Sequence, residues 1–213
     1  MSAEPADAPR ILCIVGSPRR GGNSDRLADA LAHGVDAEGG VAVSVAVSLA
    51  GIAPCKGCGT CERTGTCVVR DGMEDIYPLL ETACAVAVVS PVYFASVPAQ
   101  LKALYDRCQP YWARKYVLHQ ERTGAKRPGA LLLVAGGGDP FGAQCAVTST
   151  KSVFGVLGVE ISHLAEFTEV DKPGDIEMHP GAIAQAESIG ADLVRASNIA
   201  RAQRAHEGLG RLG

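Results

Sequence analysis

Four thiols fall within the thirteen-residue stretch CKGCGTCERTGTC, at Cys55, Cys58, Cys61 and Cys67. Cysteine sulfur at that density can serve as a disulfide knot, a zinc site, an iron–sulfur ligand set or a thiol redox pair. Three further stretches carry the chemistry of binding. GSPRRGGNS (16–24) offers glycines for tight turns, Ser17, Asn23 and Ser24 as polar donors, and Arg19 or Arg20 as positive charge. These lie beside a helix start whose free N–H groups suit an anion. The stretch lacks the Gly–Lys–Ser/Thr ending of a nucleoside-triphosphate loop and the G-x-G-x-x-G of a dinucleotide fold. A glycine turn with Asn23 or Ser24 as helix cap is the simpler use of the same residues. PVYFASVPAQLK (91–102) sets Tyr93 and Phe94 between two prolines, where rigid aromatics can pack on a planar ring or cover the edge of the core. AGGGDPFG (135–142) brings the bare backbone of Gly136, Gly137 and Gly138 close to something flat, or makes a plain turn.

Composition narrows these options. A chain of 213 residues suits one α/β domain with a real core. A net charge of −3 and the lack of a basic block leave no electrostatic footprint for nucleic acid or an anionic membrane. The start, MSAEPADAPR, lacks the basic and apolar segments of a signal peptide, and no run approaches the ~18 apolar residues of a membrane span. A cytoplasmic protein is expected, in which thiols stay reduced and a disulfide framework is disfavoured.

The loops need elements to position them, and the chain alternates between two periods. ILCIV (11–15) is a short apolar run, followed by a helix over 25–35 with Leu27, Leu31 and Val35 four apart. VAVSVAVSL (41–49) alternates as a strand. Met73, Ile76, Tyr77 and Leu80 form a helical stripe introduced by Asp71, and CAVAVVS (84–90) is a buried strand. Pro98 starts a helix carrying Leu101, Leu104 and Tyr105. ALLLVAGGG (130–138) runs from strand into loop, Phe154 and Leu157 lie on a helix, VEISHLAEF (159–167) is a fifth strand, and 182–203 a long last helix. Five β–α units predict a doubly wound parallel sheet with helices on both faces: one domain over 10–205, between a flexible N-terminal tail (1–9) and a C-terminal tail (206–213). In such a sheet ligands bind beyond the carboxyl ends of the strands, where all four loops fall. Cys13 and Cys84, inside strands, read as buried hydrophobes. Cys108 and Cys145, in helical stretches, have no assigned role, and His163 reads as an ordinary satisfied histidine.

Taken together, GSPRRGGNS, PVYFASVPAQLK and the AGGG loop resemble those of the flavodoxin-like NAD(P)H-dependent FMN reductases, across residues 10–168. The cysteine loop is similar to that of their iron–sulfur flavoprotein branch, which carries a compact C-x2-C-x2-C-x(4–7)-C set for a [4Fe–4S] cluster. The resemblance implies that Ser17, Arg19, Asn23 and Ser24 hold the FMN phosphate. By the same resemblance Pro91, Val92, Tyr93 and Phe94 line the flavin ring, and Gly136, Gly137 and Gly138 close its other side. It also implies a homodimer or homotetramer, to which Tyr111, Trp112 and Tyr116 can contribute. Zinc sites space two ligand pairs by a dozen or more residues, whereas here all four thiols share one loop without His, closer to ferredoxin-type runs. The match is not identical: the last gap is five, and Val68 stands where ferredoxins place Pro. The expectation is an FMN and [4Fe–4S] redox protein exchanging electrons with NAD(P)H or a carrier such as ferredoxin, with no side-chain catalyst. A cluster-free NAD(P)H-dependent FMN, quinone or azo reductase and a non-enzymatic electron carrier or redox sensor are the alternatives.

Overall fold

A computed structural model describes residues 8–120 and 124–209, with side chains through residue 202. The elements run β1 (Arg10–Val15), α1 (Asn23–Ala37), β2 (Val41–Ala46), α2 (Thr60–Thr64), α3 (Met73–Thr82), β3 (Ala85–Pro91), α4 (Ala99–Asp106) and α5 (Gln109–Tyr116). They continue with β4 (Arg127–Val134), α6 (Gln144–Leu157), β5 (Val159–Phe167), α7 (Asp175–Met178) and α8 (Ala182–Leu209). All strand pairs are parallel, in the order β2-β1-β3-β4-β5. The predicted 1–9 tail lies largely outside the described residues, and α8 continues six residues beyond the predicted helix end at 203.

Burial explains the strand compositions. The three inner strands are covered on both faces and are apolar almost throughout, whereas the edge strand β5 alternates buried positions with exposed ones such as Glu160 and Glu166. Ile11, Cys13 and Val15 face a layer built on Leu27, Leu31 and Val35 of α1 with Ala186 and Leu193 of α8. Leu12, Ile14, Val88 and Leu131 face Met73, Leu80, Leu104 and Phe154. Helix α1 contains Gly34, which costs roughly 1 kcal/mol in a helix interior. Burying each of Leu27, Leu31 and Val35 returns roughly 1.5–3 kcal/mol, so the packed stripe decides. Gly34 is there for contact: a Cβ would lie 1.9 Å from the carbonyl oxygen of Glu187, and one on Gly190 would lie 2.1 Å from that of Leu31. The two helices cross backbone to backbone.

The second layer is tied by two buried arginines. Arg127, at the start of β4, donates to the carbonyls of Leu80 and Ala83 at the end of α3 and of Leu157 at the end of α6. Its positive charge meets the negative ends of both helices. Arg107, just after α4, reaches the other way, toward the cysteine loop. Cys84 precedes β3 and is only half-buried, so it is not the core thiol the sequence suggests; Cys13 is, and Cys108, to which the sequence assigns no role, is buried as well. Burial pushes both of those thiols up to about 12, which keeps them protonated at neutral pH.

Candidate functional site: a cradle and a cysteine loop on one sheet edge

At the carboxyl ends of β1, β3 and β4 lies a cavity of about 100 Å³. Ser17, Arg19, Asn23, Ser24, Pro91, Val92, Tyr93 and Gly136 all line it, so eight of the eleven predicted binding residues come together. Phe94, Gly137 and Gly138 do not. Liquid water occupies ~30 Å³ per molecule, so the cavity admits a phosphate-sized group and leaves a larger ring to lie along its mouth.

The first loop is braced before any ligand arrives. The N–H of Gly16 donates to Val89 O at 2.8 Å, and a Cβ on Gly16 would lie 2.6 Å from Leu101 Cδ2 and 2.7 Å from Ser90 Oγ. Only glycine lets the chain leave β1 that close to α4. Ser17 Oγ accepts from the N–H of Arg19 and donates to its carbonyl, so the hydroxyl shapes the turn rather than reaching outward. Asn23 Nδ2 donates to Lys172 O (2.9 Å), while Oδ1 accepts from the N–H of Gly174 (2.9 Å) and Ile176 (3.4 Å). The predicted phosphate donor is thus mainly a bracket between the first loop and the loop after β5, with one N–H left over. Neither Asn23 nor Ser24 caps α1; Gly22 does, without a side-chain bond. The N–H of Arg26 is already intrahelical, to Gly22 O, and the N–H groups before it form the open helix end that suits an anion. Arg20 leans on Asp25 at 3.6 Å, whereas Arg19 has no carboxylate partner among the described residues. Arg19 is the available charge.

The aromatic loop is strained. Tyr93 and Ser96 exchange both backbone hydrogen bonds, and between them Phe94 and Ala95 have φ of 51° and 61°. Two left-handed residues in succession make the turn normally given to Asn and Gly. Each non-glycine residue there costs roughly 1–2 kcal/mol. The Phe94 ring is 99% exposed, so burial does not offset the strain. Tyr93 lines the cavity, while Phe94 stands outside it, turned to solvent.

Beside the cradle, the cysteine loop leaves β2 and returns at α3. Among the described residues no three His, Cys, Asp or Glu side chains converge closely enough to hold a metal ion. Burial, chiefly, pushes the half-buried Cys61 thiol up. The exposed Cys58 thiol is lowered, chiefly by the N–H and hydroxyl of Thr60. In type and number the donors suit a four-iron cluster, all thiols and none in a disulfide. Gly57 and Gly59, both left-handed, give the loop room to close.

The sequence model described as NADPH-dependent FMN reductase matches residues 9–167. The chain belongs to that family. Among relatives of this FMN reductase family member, an iron–sulfur flavoprotein of Archaeoglobus fulgidus is 38% identical over 146 residues, 68% of this chain and 64% of that one. An iron–sulfur flavoprotein of Methanosarcina thermophila is 40% identical over 98 residues, 46% of this chain and 51% of the other. The chain thus spans between half and just under two thirds of these relatives' length. The NAD(P)H:quinone oxidoreductase of Methanothermobacter marburgensis superposes with a TM-score of 0.63 at 16% identity, covering 87% of this chain and 97% of that one. That likeness shows the flavodoxin-like α/β fold.

Several residues of this family member's site escape a sequence reading. Val170, Asp171 and Pro173 also line the cavity, and Gly136 packs against the Asp171 carboxylate, where a Cβ would be 3.4 Å from Oδ1. Asp171 would repel a phosphate, but it can accept from a hydroxyl. The available signal was positional: in a parallel sheet the end of β5 opens on the same edge as those of β1 and β3. Arg107, between two helices, carries no sequence signal of its burial either. Tyr111 is a core residue at 9% exposure, which leaves Trp112 and Tyr116, 5.9 Å apart, as the exposed aromatics of α5. His163 is satisfied as expected, with Asp192 at 3.3 Å and Ser162 Oγ at 3.0 Å. No helix among the described residues is long and apolar enough to cross a membrane.

Proposed function

We propose that this protein binds FMN in the cradle and a [4Fe–4S] cluster on Cys55, Cys58, Cys61 and Cys67, and passes electrons between NAD(P)H or a reduced carrier such as ferredoxin and a further acceptor. The observation that carries this reading is the placement of a phosphate-sized cavity and a four-thiol loop at neighbouring strand ends of one sheet edge. Relatives named iron–sulfur flavoproteins support it. Bound FMN would supply one- and two-electron steps and a cluster single-electron steps.

The chain's own residues bind and orient. Arg19 and the open N-terminus of α1 neutralise a phosphate, with the last N–H of Asn23 in reach of the same space. Asp171 accepts from a hydroxyl of the sugar chain. Pro91, Val92 and Tyr93 give a ring an apolar flank, and Gly136, Gly137 and Gly138 present backbone without side chains. No proton-transfer residue is needed, because the cofactor carries the chemistry. We further propose a cytoplasmic homodimer or homotetramer that covers the exposed Trp112 and Tyr116.

Protein purified without oxygen should release FMN and not FAD on denaturation, and contain about four irons and four sulfides per chain. FAD alone, or no flavin even after reconstitution, would reject the cradle; stoichiometric FMN without iron would reject the cluster. The second reading, a cluster-free NAD(P)H-dependent reductase, is favoured by the fact that no three metal-ligating side chains converge among the described residues. NAD(P)H oxidation by iron-free protein at an undiminished rate would select it.

A further inference from the structure

The cysteine loop is not uniform along its length. Arg107, with a fully buried side chain, draws its two ends together. One amino group, Nη1, donates to Ala53 O at 2.9 Å and to Asp71 Oδ2 at 2.6 Å, while Nη2 donates to Val69 O at 3.1 Å. The same Asp71 oxygen accepts the N–H of Ala53 at 3.0 Å, and Oδ1 accepts that of Met73, the first residue of α3. Burial works against the charge on Arg107, but Asp71, and then the nearby Cys67 and Tyr77, outweigh it and hold the guanidinium protonated. A second arginine grips the loop further along: Arg114 Nε donates to Gly65 O at 2.7 Å, and its Nη1 to Glu81. Tyr77, which with Cys67 lines a cavity of about 220 Å³, donates to the carbonyl of Arg107 itself. From Gly59 onward the backbone is also bonded internally, Glu62 to Gly59 and Gly65 to Cys61.

Past Ala53, the opposite half has none of this. Residues 54–58 are exposed, and their hydrogen bonds stay within 55–60: Gly57 N–H to Cys55 Sγ, and Cys58 Sγ to Thr60 Oγ1. Two of the four thiols therefore stand on braced backbone and two on free backbone. Cys61 and Cys67 are half-buried; Cys55 and Cys58 are exposed.

We propose that Arg107 is a positioning residue for the cysteine loop: through Ala53, Val69 and Asp71 it closes the neck and holds Cys67, while Arg114 and α2 brace the Cys61 half, and the exposed Cys55 and Cys58 close onto that braced half. The braced half stands on geometry alone, and only its use in cluster assembly rests on the function proposed above. Opening of braced backbone is a local equilibrium that protects what lies on it. Removing one member of a buried ion pair strands the other charge, so the test uses the double variant Asp71→Asn/Arg107→Gln beside Arg107→Met.

In reduced, iron-free protein, timed alkylation with N-ethylmaleimide, mapped by peptide mass spectrometry, should label Cys55 and Cys58 about tenfold faster than Cys61 and Cys67, as expected for local protection. In both variants Cys67 should lose its protection while FMN stays bound and Cys13 and Cys108 remain protected. Equal labelling of all four thiols in the unaltered protein would overturn the proposal, and so would unchanged protection of Cys67 in the variants. Labelling of Cys13 and Cys108 in both variants would also overturn it, since Arg107 would then support the whole fold rather than the loop. Anaerobic reconstitution with ferrous iron and sulfide separates the two proposals. Cluster uptake by the unaltered protein and less than half as much by the double variant supports both. A failure of the unaltered protein to take up iron rejects the cluster, and the labelling pattern then decides the role of Arg107.

Discussion

The loop after β1 and the loop after β2 leave adjacent strands on the same edge, yet they are built on opposite plans. The first is short and finished: Gly16 is wedged against α4, Ser17 closes its own turn, and Asn23 bolts it to the loop after β5. The second is long and tied only at the neck and along one half, by Arg107 and Arg114. A site that must recognise a fixed shape gains from being formed beforehand, because less ordering is left to binding. A site whose ligands bond covalently to their metal can leave part of its geometry to be fixed by the metal. The contrast predicts that damage to the first loop spreads to the fold, and that damage to the second stays local.

Four experiments bear on that contrast. The largest effect is expected at the thiols: changing any one of Cys55, Cys58, Cys61 or Cys67 to Ser should drop iron from about four per chain to below one, with FMN content unchanged by absorbance. Loss of flavin in the same variants would erase the distinction between the loops. Next comes acid. Burial raises the Asp71 carboxyl, but Arg107 and the N–H groups of Ala53 and Met73 outweigh it and hold the group below its ordinary range. A carboxyl depressed in the folded state contributes stability above its unfolded value of about 3.9 and loses it as pH falls through the lower folded one. Below about pH 4, hydrogen exchange over 53–71 should therefore rise before the sheet unfolds; simultaneous exchange everywhere would contradict the idea of a local neck.

The third experiment concerns Asn23. Replacement by Ala removes three bonds to the 172–176 loop, and at roughly 1 kcal/mol net for each hydrogen bond it should lower the melting temperature and weaken FMN binding by tenfold or more. If the fluorescence-titrated affinity falls with no change in melting temperature, Asn23 is a ligand donor and not a bracket. The smallest effect is a gain. Ala95→Gly relieves a left-handed residue at φ 61°, worth about 1 kcal/mol. Ala95 is buried but does not line the cavity, so, with the strain outweighing one lost methyl contact, urea unfolding should shift upward with flavin affinity nearly constant; a loss of affinity would mean that the strain itself shapes the site.

The sheet was legible because its inner strands are covered on both faces, a condition that leaves continuous apolar runs such as AVAVV and ALLLV. Most of the cradle was legible too, since a parallel sheet sends every strand end to one edge. What the sequence hid was how donors are spent. Asn23 reads as a free amide until residues 149 to 153 positions away take up its bonds. Phe94 reads as a ring-lining residue; its left-handed backbone leaves the side chain exposed outside the cavity, and no local pattern announces a positive φ at Phe. Helix α2 leaves no sequence signal because five residues between two left-handed glycines are too short to show periodicity. Arg107, between two helices, looks like any surface charge; only its long-range partners reveal a buried one.

The neck at Arg107 also makes the cysteine loop a cassette. The cost of closing a flexible loop grows only with the logarithm of its length, so once Ala53 and Asp71 are held together the intervening segment can be lengthened, shortened or exchanged at little expense to the sheet. Three groups must be kept in any such graft: the carbonyls that stand in for Ala53 and Val69, and a carboxylate in place of Asp71. With those retained the buried guanidinium keeps its partners, and this flavodoxin-like frame becomes a socket into which loops bearing other donor sets can be fitted.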